Sequence, residues 1–349
     1  MGTYILRRIL LMIPTFIAIT FICYGIMWVV PGGPVEQAIM KYEAAATGGG
    51  AGGEVASGGS TTGTQSFQVS DEMVEELKKI YGFDKPFHIA YLSWLWNVCQ
   101  FDLGESYIYS EPVWERIYTR FPVSLFFGGI GFLLGYIICI PLGIFKAMRH
   151  GTMFDWSSSI IVFVGYSVPG FAMGLVLLVL FGGGSYWDVF PLGGMVSQNF
   201  EELSLWQKTL DLTHHSILPV FCYMLGGFAV TTMLMKNSLM ENLGADYVRT
   251  AFAKGLEERV VVFKHVLRNS LIPIATGIAH FLSILLAGSY LIERVFNIDG
   301  IGLLGYDALV SRDYPVTLGV IVIASILSLV GNLIADMMYA LIDPRIRFK

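Results

Sequence analysis

Long apolar runs alternate with shorter polar segments along the sequence, and six of these runs are long enough to cross a membrane as helices. They cover roughly 9–30, 121–145, 156–181, 214–235, 271–292 and 316–342. A hydrocarbon core about 30 Å thick requires about 20 consecutive apolar residues in a helix. The alternating pattern of a membrane β-barrel does not occur, and helices satisfy their own backbone hydrogen bonds in lipid. The pattern predicts an all-α polytopic membrane protein with six transmembrane helices. A mean hydropathy of +0.63 is too apolar for a soluble protein of this size.

The distribution of charge predicts the orientation of these helices. With the N-terminus inside, the inward segments (1–8, 146–155, 236–270 and 343–349) carry 13 Lys and Arg against 6 Asp and Glu. The outward segments carry 9 against 20. Positive residues on short loops mark the cytoplasmic side of a membrane protein, so both termini are expected to be cytoplasmic.

The spans divide the chain into four parts. An N-terminal transmembrane anchor (1–30) is followed by an outer region (31–120), a five-helix unit (121–342) and a short inner tail (343–349). The apolar run of the anchor is longer than that of a typical signal peptide, and no small-x-small cleavage site follows it. The anchor is therefore expected to remain uncleaved.

The outer region contains a segment rich in Gly, Ser, Thr and Ala at 47–66. Such a segment buries little apolar surface, so a flexible loop is predicted. A helix is expected to start after it, with Ser70 as its N-cap. The next apolar run, 87–101, is too short to span a membrane. Because it contains Trp94 and Trp96, it fits either a helix lying at the outer membrane interface or part of a small packed subdomain.

Two prolines, Pro141 and Pro169, lie within or near the ends of the second and third spans. Proline removes a helical hydrogen bond and bends a helix. Each is therefore either a structural bend or a hinge of a moving transporter, and the third span, 156–181, is expected to be one helix.

The sequence holds no motif for catalysis or nucleotide binding. It lacks the phosphate-binding pattern G-x-x-x-x-G-K-[ST], the metalloprotease pattern H-E-x-x-H and the nucleophile elbow G-x-S-x-G. Its four cysteines show neither metal-ligand nor disulfide spacing. The chain is therefore expected not to be an enzyme, to bind no metal and to hold no cofactor of its own.

Ionisable residues well inside the spans would mark proton or ion pathways, and only His280 and Asp336 qualify. His280 is expected to make a hydrogen-bonded helix–helix contact, with a substrate contact as the alternative. Asp336 is expected to pair with an inner arginine or to cap a neighbouring helix. So few buried charges argue against a proton-coupled transporter. The energy for transport would then have to come from another chain.

The longest inner segment, 236–270, is the best candidate for contact with such a chain, and it carries six Lys or Arg. Val248, Ala251 and Phe252 share one helical face. Gly255 can take the positive φ that ends one helix and starts another at an angle, and a basic amphipathic helix resumes two residues later. This elbow could transmit force from a soluble motor, or it could lie on anionic lipid. Composition alone favours neither.

Motifs in this loop resemble those of binding-protein-dependent ABC importer permeases. Arg249-Thr-Ala251 and Gly255 stand where that family has E-A-A, three residues and G, with a departure at the glutamate position. The Ala-Lys-Gly ending and Lys264-His-Val-Leu-Arg-Asn-Ser270 resemble the di-/oligopeptide branch. Motifs elsewhere match the same branch: Tyr4-Ile-Leu-Arg-Arg8, Pro31-Gly-Gly-Pro34, Ile292-Glu-Arg-Val-Phe296, Gly300-Ile-Gly302, Arg312-Asp-Tyr-Pro315 and Asp343-Pro-Arg-Ile-Arg347. The resemblance covers nearly the whole chain, with 47–66 outside it.

Four further segments are most similar to the Yej-type permeases of that branch. They are Pro31-Gly-Gly-Pro-Val-Glu-Gln37, Tyr81-Gly-Phe-Asp-Lys-Pro86, Gly182-Gly-Gly-Ser-Tyr186 and Gly302-Leu-Leu-Gly-Tyr306. Permeases of this type have an enlarged first periplasmic loop and are associated with the import of peptides and of microcin C.

The resemblance implies a type I ABC importer permease fold in the bacterial inner membrane. The implied partners are a second homologous permease chain in a heterodimer, ABC ATPase subunits that bind ATP and Mg, a periplasmic peptide-binding protein, a peptide substrate and membrane lipid. No nucleic-acid partner is expected. The residues expected to couple to the ATPase are Tyr247, Val248, Arg249, Thr250, Ala251, Lys254, Gly255, Leu256, Lys264 and His265.

Within this set, Gly255 is expected to form the elbow and Ala251 to allow close packing against the ATPase. Arg249 and Lys254 are expected to make charge contacts. Substrate residues stay unassigned, because uniformly apolar spans do not show which helix face lines a cavity. Two other functions remain open: a permease for nickel or another small solute in the same superfamily, and an ATPase-independent channel or secondary transporter.

Overall fold

The computed structural model of the chain describes residues 2–33, 35–40, 71–80, 82–184, 186–279 and 290–342. Within these ranges the chain forms helices and no strands, apart from two isolated β-bridges. The all-α class expected from the sequence is confirmed. The segment 47–66, Ser70, His280 and the tail 343–349 lie outside the described residues, so what was predicted for them stays a prediction.

The helices of the described ranges are numbered here in chain order. In chain order they are α1 (Gly2–Val29), α2 (Asp71–Ile80), α3 (Phe87–Cys99), α4 (Val113–Met148), α5 (Met153–Ser167), α6 (Gly170–Phe181), α7 (Leu205–Leu243), α8 (Asp246–Ala253), α9 (Glu258–Val260), a π-helix (Val261–Val266), α10 (Leu267–Ser270), α11 (Ile272–Ala279), α12 (Tyr290–Val295), α13 (Ile301–Val310) and α14 (Tyr314–Ile342). A further helical stretch covers 35–40, and a 3₁₀ turn covers Phe200–Glu202.

Among the described residues, α1, α4, α7 and α14 are each long and apolar enough to cross a membrane. They correspond to the first, second, fourth and sixth predicted spans. The fifth predicted span, 271–292, is described only at its two ends. The six-span count is therefore not tested.

The third predicted span is not the single helix expected over 156–181. It is broken into α5 and α6, which meet at 95°. Val168 is extended at the break (φ −94°, ψ 120°), and Pro169 caps α6. Because a proline ring disfavours helical backbone in the residue before it, the Val168-Pro169 pair ends α5 and allows the chain to restart in a new direction.

A capping box determines where α7 begins. The hydroxyl of Ser204 accepts a hydrogen bond from the backbone N–H of Gln207, whose side chain in turn accepts from the N–H of Ser204. These two bonds satisfy N–H groups that a helix start leaves without partners. The helix then continues for 39 residues, past the inner end of the predicted span, to Leu243.

The chain divides into two compact units, and α7 is central to the larger one. The larger unit comprises Met1–Pro14, Ile117–Tyr306 and Ile323–Lys349, and the smaller unit comprises Thr15–Arg116 and Asp307–Val322. In the larger unit, α7 packs against α5, α6, α10, α11 and α12. One cluster of buried residues there, called the inner core below, consists of Ile144, Ala147, Met235, Leu239, Val248, Ala251, Val261, Val266 and Ile274.

In the smaller unit, α3 packs against α1. The hydroxyl of Tyr91 lies 3.0 Å from that of Thr20 and also donates to the carbonyl of Ile17 at 3.2 Å. Phe21 meets the ring of Tyr91 edge-on. The apolar run at 87–101 therefore forms a helix that packs against α1, while Trp96 on α3 stays exposed. The choice between its two predicted forms stays a prediction.

Candidate functional site

The inner loop folds as two helical segments joined at a glycine. After α7 ends, α8 runs from Asp246 to Ala253, and Lys254 caps it. Gly255 follows with φ +77°, and helical structure resumes at Glu258. The predicted helix–glycine–helix elbow is confirmed.

One face of α8 is buried in the chain itself. Val248 is 1% exposed and Ala251 9% exposed, and both belong to the inner core with Met235 and Leu239 of α7. Residues three apart lie on the same side of a helix, so the two side chains anchor α8 along its length. These contacts attach α8 to α7.

This burial changes the role expected for Ala251. Ala251 is expected from the sequence to pack against an ATPase, but its side chain packs inside this chain and offers little surface to a partner. Phe252, expected on the same face as Val248, is 44% exposed. Both differences arise because α8 turns its narrow, small-residue side inward and its larger side chains outward.

The other positions of α8, and the residues that follow it to Leu256, are exposed. The exposed face, as it is called below, consists of Tyr247, Arg249, Thr250, Phe252, Lys254 and Leu256. The Arg249 side chain is 78% exposed, and its ion pair with Asp246 spans 3.7 Å. Exposed pairs of this kind contribute little, so the guanidinium is available to another chain. With two cations among aromatic and aliphatic groups, the face can bind a partner but has no group for catalysis.

Position 255 requires glycine because of its backbone conformation, and not because a larger side chain would lack space. A Cβ built on it would meet nothing within 4 Å, whereas its φ of +77° lies in a region that L side chains rarely adopt. The glycine therefore determines the angle at which α8 leaves the rest of the loop.

The last two predicted coupling residues lie on the π-helix. Lys264 is exposed and His265 is half-buried, while Val261, Val262 and Val266 are buried. The π-helix packs against α8. The sequence predicted a regular amphipathic helix here, but the wider turn of a π-helix, which often accompanies functional sites, brings three valines inward.

The predicted partner of Asp336 is also present. Asp336 Oδ2 lies 2.6 Å from Nη2 of Arg8, so α14 and α1 are joined near the inner terminus of α1. The expected pairing of Asp336 with an arginine is confirmed, and the position of that arginine on the inner side stays a prediction.

Two groups of buried charges in the larger unit were missed from the sequence. Lys146, Asp155 and Lys236 were counted among loop charges, yet all three are buried together at the inner ends of helices. Glu293, assigned to an outer loop, is 1% exposed. Each stands at the limit of an apolar run, and that position was the signal available, because a charge there faces either water or a neighbouring helix.

Glu293 lies in α12 and holds the turn that follows it. Its carboxylate accepts hydrogen bonds from the N–H of Leu303 at 2.6 Å, from the Tyr223 hydroxyl at 3.2 Å and from the Ser124 hydroxyl at 3.3 Å. Burial raises the pKa of Glu293, and the hydrogen bonds from these donors oppose the increase. The carboxylate links α4, α7 and α13 at one point.

These features define an α-helical membrane protein with a short helix, α8, that is anchored in the chain's own core on one side and exposed elsewhere. The chain belongs to the family of binding-protein-dependent transport system inner membrane components, whose pattern matches residues 139–348. It is a multi-pass inner-membrane protein and an ABC transporter permease rather than an enzyme. Membership of this family implies partners that hydrolyse ATP and partners that deliver substrate.

Several relatives are similar over their whole length. The inner membrane ABC transporter permease protein YejB of Escherichia coli O157:H7 is 44% identical over all of both chains. The peptidoglycan transport system permease protein YejB of Agrobacterium fabrum is 43% identical over all of this chain and 99% of its own. The oligopeptide transport system permease protein AppB of Bacillus subtilis is 34% identical over all of both chains. The resemblance to the peptide branch is confirmed.

Proposed function

We propose that this chain is one transmembrane subunit of an ATP-driven importer of peptides. It forms half of the translocation pathway beside a second, homologous permease chain. An ATPase binds the exposed face of α8, and an external peptide-binding protein delivers cargo to the opposite side. ATP and Mg are held by the ATPase, and both termini of this chain are cytoplasmic.

The division of α8 into an anchored side and an exposed side carries this proposal. A motor can drive a membrane helix only through an element that is rigidly attached to it. Val248 and Ala251 supply that attachment, and Arg249 and Lys254 are exposed for recognition. Val248 and Ala251 of α8 are buried in the chain's own core, so these two side chains are not available to a lipid surface.

The peptide class of the cargo is supported by the relatives. Those that are most informative are named for transport of peptidoglycan, oligopeptides and dipeptides. The substrates in these names share peptide bonds, so peptides are the class most consistent with all of them. No observation on this chain favours nickel or another small solute.

The mechanism follows from differential contacts in two states. ATP-driven closure of the motors moves α8, and with it α7, so that the paired helical bundles open outward. Peptide enters from the binding protein, and hydrolysis returns the bundles inward. Such a shift requires only that the motor bind the two arrangements with different affinity.

Co-purification of the tagged chain with its neighbouring permease and ATPase tests the docking site. Arg249→Glu reverses an exposed charge on α8 without entering the core, and Gly255→Asp alters the elbow. Arg149→Glu, on the other inner loop, is the charge-matched control, since Arg149 is also exposed. The ATPase should be retained by the native chain and the control and lost from both loop variants.

Retention of the ATPase by both loop variants would show that it docks elsewhere. If no ATPase co-purified with the native chain or with any variant, the loop would instead be interpreted as a helix lying on the lipid surface. Uptake of labelled tripeptide and of nickel by vesicles containing the native complex then separates the peptide importer from the small-solute permease.

A further inference from the structure

A single carboxylate joins the inner ends of three helices. Asp155 lies in the first turn of α5, and Nζ of Lys236 on α7 lies 2.8 Å from both of its oxygens. Nζ of Lys146, at the end of α4, lies 3.2 Å from Oδ1. The three groups are called the ionic clasp below.

Every donor in the clasp has an acceptor. Besides the Asp155 carboxylate, Lys146 donates to the backbone carbonyl of Asp155 at 2.9 Å and to the hydroxyls of Ser158 and Ser159 at 2.8 Å each. The Asp155 carboxylate also accepts from the N–H of Gly151 at 3.2 Å. Nδ1 of His150 lies at the same distance. The ammonium of Lys146 is therefore fixed in direction and is 0% exposed.

The arrangement is specific in geometry rather than strong in net stabilisation. Burial of an ion pair removes hydration from both groups, and the mutual attraction often only offsets that loss. Apolar side chains could hold three helices together equally well. What the contact between Lys236 and Asp155 adds is a cost for separating the two helices, because either charge would then be buried without its partner.

The clasp lies beside the residues that receive α8. Ile144 and Ala147 of the inner core flank Lys146 along α4, and Met235 precedes Lys236 on α7. The same core buries Val248 and Ala251 of α8. A movement of α8 would therefore pass first to the ends of α4 and α7, then to Asp155, and finally to α5.

We propose that Asp155 and Lys236 are positioning residues for coupling, which lock the inner end of α5 to α7 so that α5 follows every movement of α8. This inference rests on the proposed function, since it assumes a motor that moves α8. Under this proposal the motor moves α5, and the 95° break separates α5 from α6.

Lys236→Met is the decisive variant. It cuts the link between α5 and α7 but leaves Asp155 paired with Lys146, so no charge is left alone in the interior. Lys208→Met is the matched control: it is the same substitution on the same helix, but Lys208 pairs with an exposed glutamate, Glu201, at 3.6 Å. Both are compared with the native chain in the complete importer, reconstituted in vesicles with binding protein and tripeptide.

Peptide imported per ATP hydrolysed is the first readout. A coupling contribution of the usual size predicts a fall of about tenfold for Lys236→Met with basal ATP hydrolysis retained. Lys208→Met should match the native chain. If Lys236→Met imports as much peptide per ATP as the native chain, the clasp does not couple ATP hydrolysis to peptide transport. If the native complex itself imports no peptide, the proposed function fails instead.

The distance between α5 and α7 gives a second readout that does not depend on transport or on folding of the variant. Spin labels at Met153 and Asn237, both exposed, are placed in a chain whose four cysteines are replaced. In the otherwise native complex, the distance should be the same with and without ATP. A distance that changes between the two states would overturn the proposal even if Lys236→Met does not assemble.

Discussion

The backbone N–H of Leu303 donates a hydrogen bond to Glu293 across the turn between α12 and α13, with the nitrogen 2.6 Å from Oε2. The turn fits closely around that carboxylate. A Cβ on Gly300 would overlap the Glu293 carboxylate atoms. Gly300 and Glu293 are therefore matched: one supplies the space that the other fills.

Loss of the Glu293 carboxylate should destabilise the larger unit. In Glu293→Ala, the donors from Leu303, Tyr223 and Ser124 lose their acceptor in a buried site. Each buried donor left without a partner costs about 1–3 kcal/mol. Glu293→Gln keeps an acceptor oxygen and should lose much less. Thermal unfolding in detergent measures both, and equal midpoints for the two variants would contradict this role.

The same residue should make stability depend on pH. Burial raises the pKa of Glu293 above its ordinary value of 4.5, so between that value and the raised one the folded protein binds more protons than the unfolded protein. Stability therefore falls as pH increases through this window. Unfolding midpoints of the native chain and of Glu293→Gln, compared from pH 4.5 upward, should diverge in that direction. A constant difference between them would show that Glu293 does not titrate there.

Two glycines on α4 should respond differently to alanine. At Gly143 an added Cβ would lie 2.6 Å from Cβ of Met235 and 2.8 Å from the carbonyl of Thr232, both on α7. At Gly135 the nearest atom would be Cγ of Met224 at 3.5 Å, an ordinary contact. Gly143→Ala should destabilise by about 1–3 kcal/mol through overpacking.

Gly135→Ala is the internal control for that measurement. Alanine has the higher helix propensity by about 1 kcal/mol, so this variant should be neutral or slightly stabilising. If thermal unfolding gave both variants the same midpoint, α4 and α7 would not approach each other at Gly143 as closely as the structure has them.

The elbow should require a residue that accepts positive φ. Gly255→Ala introduces no clash, yet it places a Cβ in a left-handed conformation, which costs about 1–2 kcal/mol. Gly244, at the other end of α8, has an ordinary helical φ of −77°. We expect Gly255→Ala to weaken ATPase binding and Gly244→Ala to leave it unchanged, with Gly255→Asn intermediate. Binding of purified ATPase to immobilised permease measures the three, and equal loss for Gly244→Ala would assign the effect to α8 in general.

The elbow was predictable from the sequence because a glycine within a polar helical pattern has few other uses. Helical spacing likewise placed Val248 and Ala251 on one face. The pattern could not show whether that face meets a partner or the chain itself. The inner core decided it, and its members come from residues as distant in sequence as Ile144 and Ile274.

The break between α5 and α6 was hidden for a different reason. Residues 156–181 carry no charge and are mostly apolar, and hydropathy measures composition over a window rather than the direction of a helix. Pro169 was noted as a bend or a hinge, but nothing local distinguishes a mild bend from a turn of 95°. The direction of α6 depends on packing. A Cβ on Gly170 would lie 2.9 Å from the carbonyl of Cys222 on α7.

The buried charges of the clasp were hidden by their surroundings. Lys146 and Lys236 fit the positive-inside rule as well as exposed loop residues do. Only the three-dimensional arrangement shows that both are buried against the carboxylate of Asp155. A charged residue at the end of an apolar run can therefore be found in the sequence. The sequence does not show whether its side chain contacts water or a neighbouring helix.

The spacing of the clasp along the chain also implies an order of assembly during synthesis. Lys146 and Asp155 are nine residues apart, so the hairpin of α4 and α5 can enter the bilayer with its charge already balanced. Lys236 follows 81 residues after Asp155 and arrives only when α7 has been made. The nascent hairpin thus carries a preformed docking point for a helix that does not yet exist, and α7 completes the clasp by adding a second cation to a neutral pair.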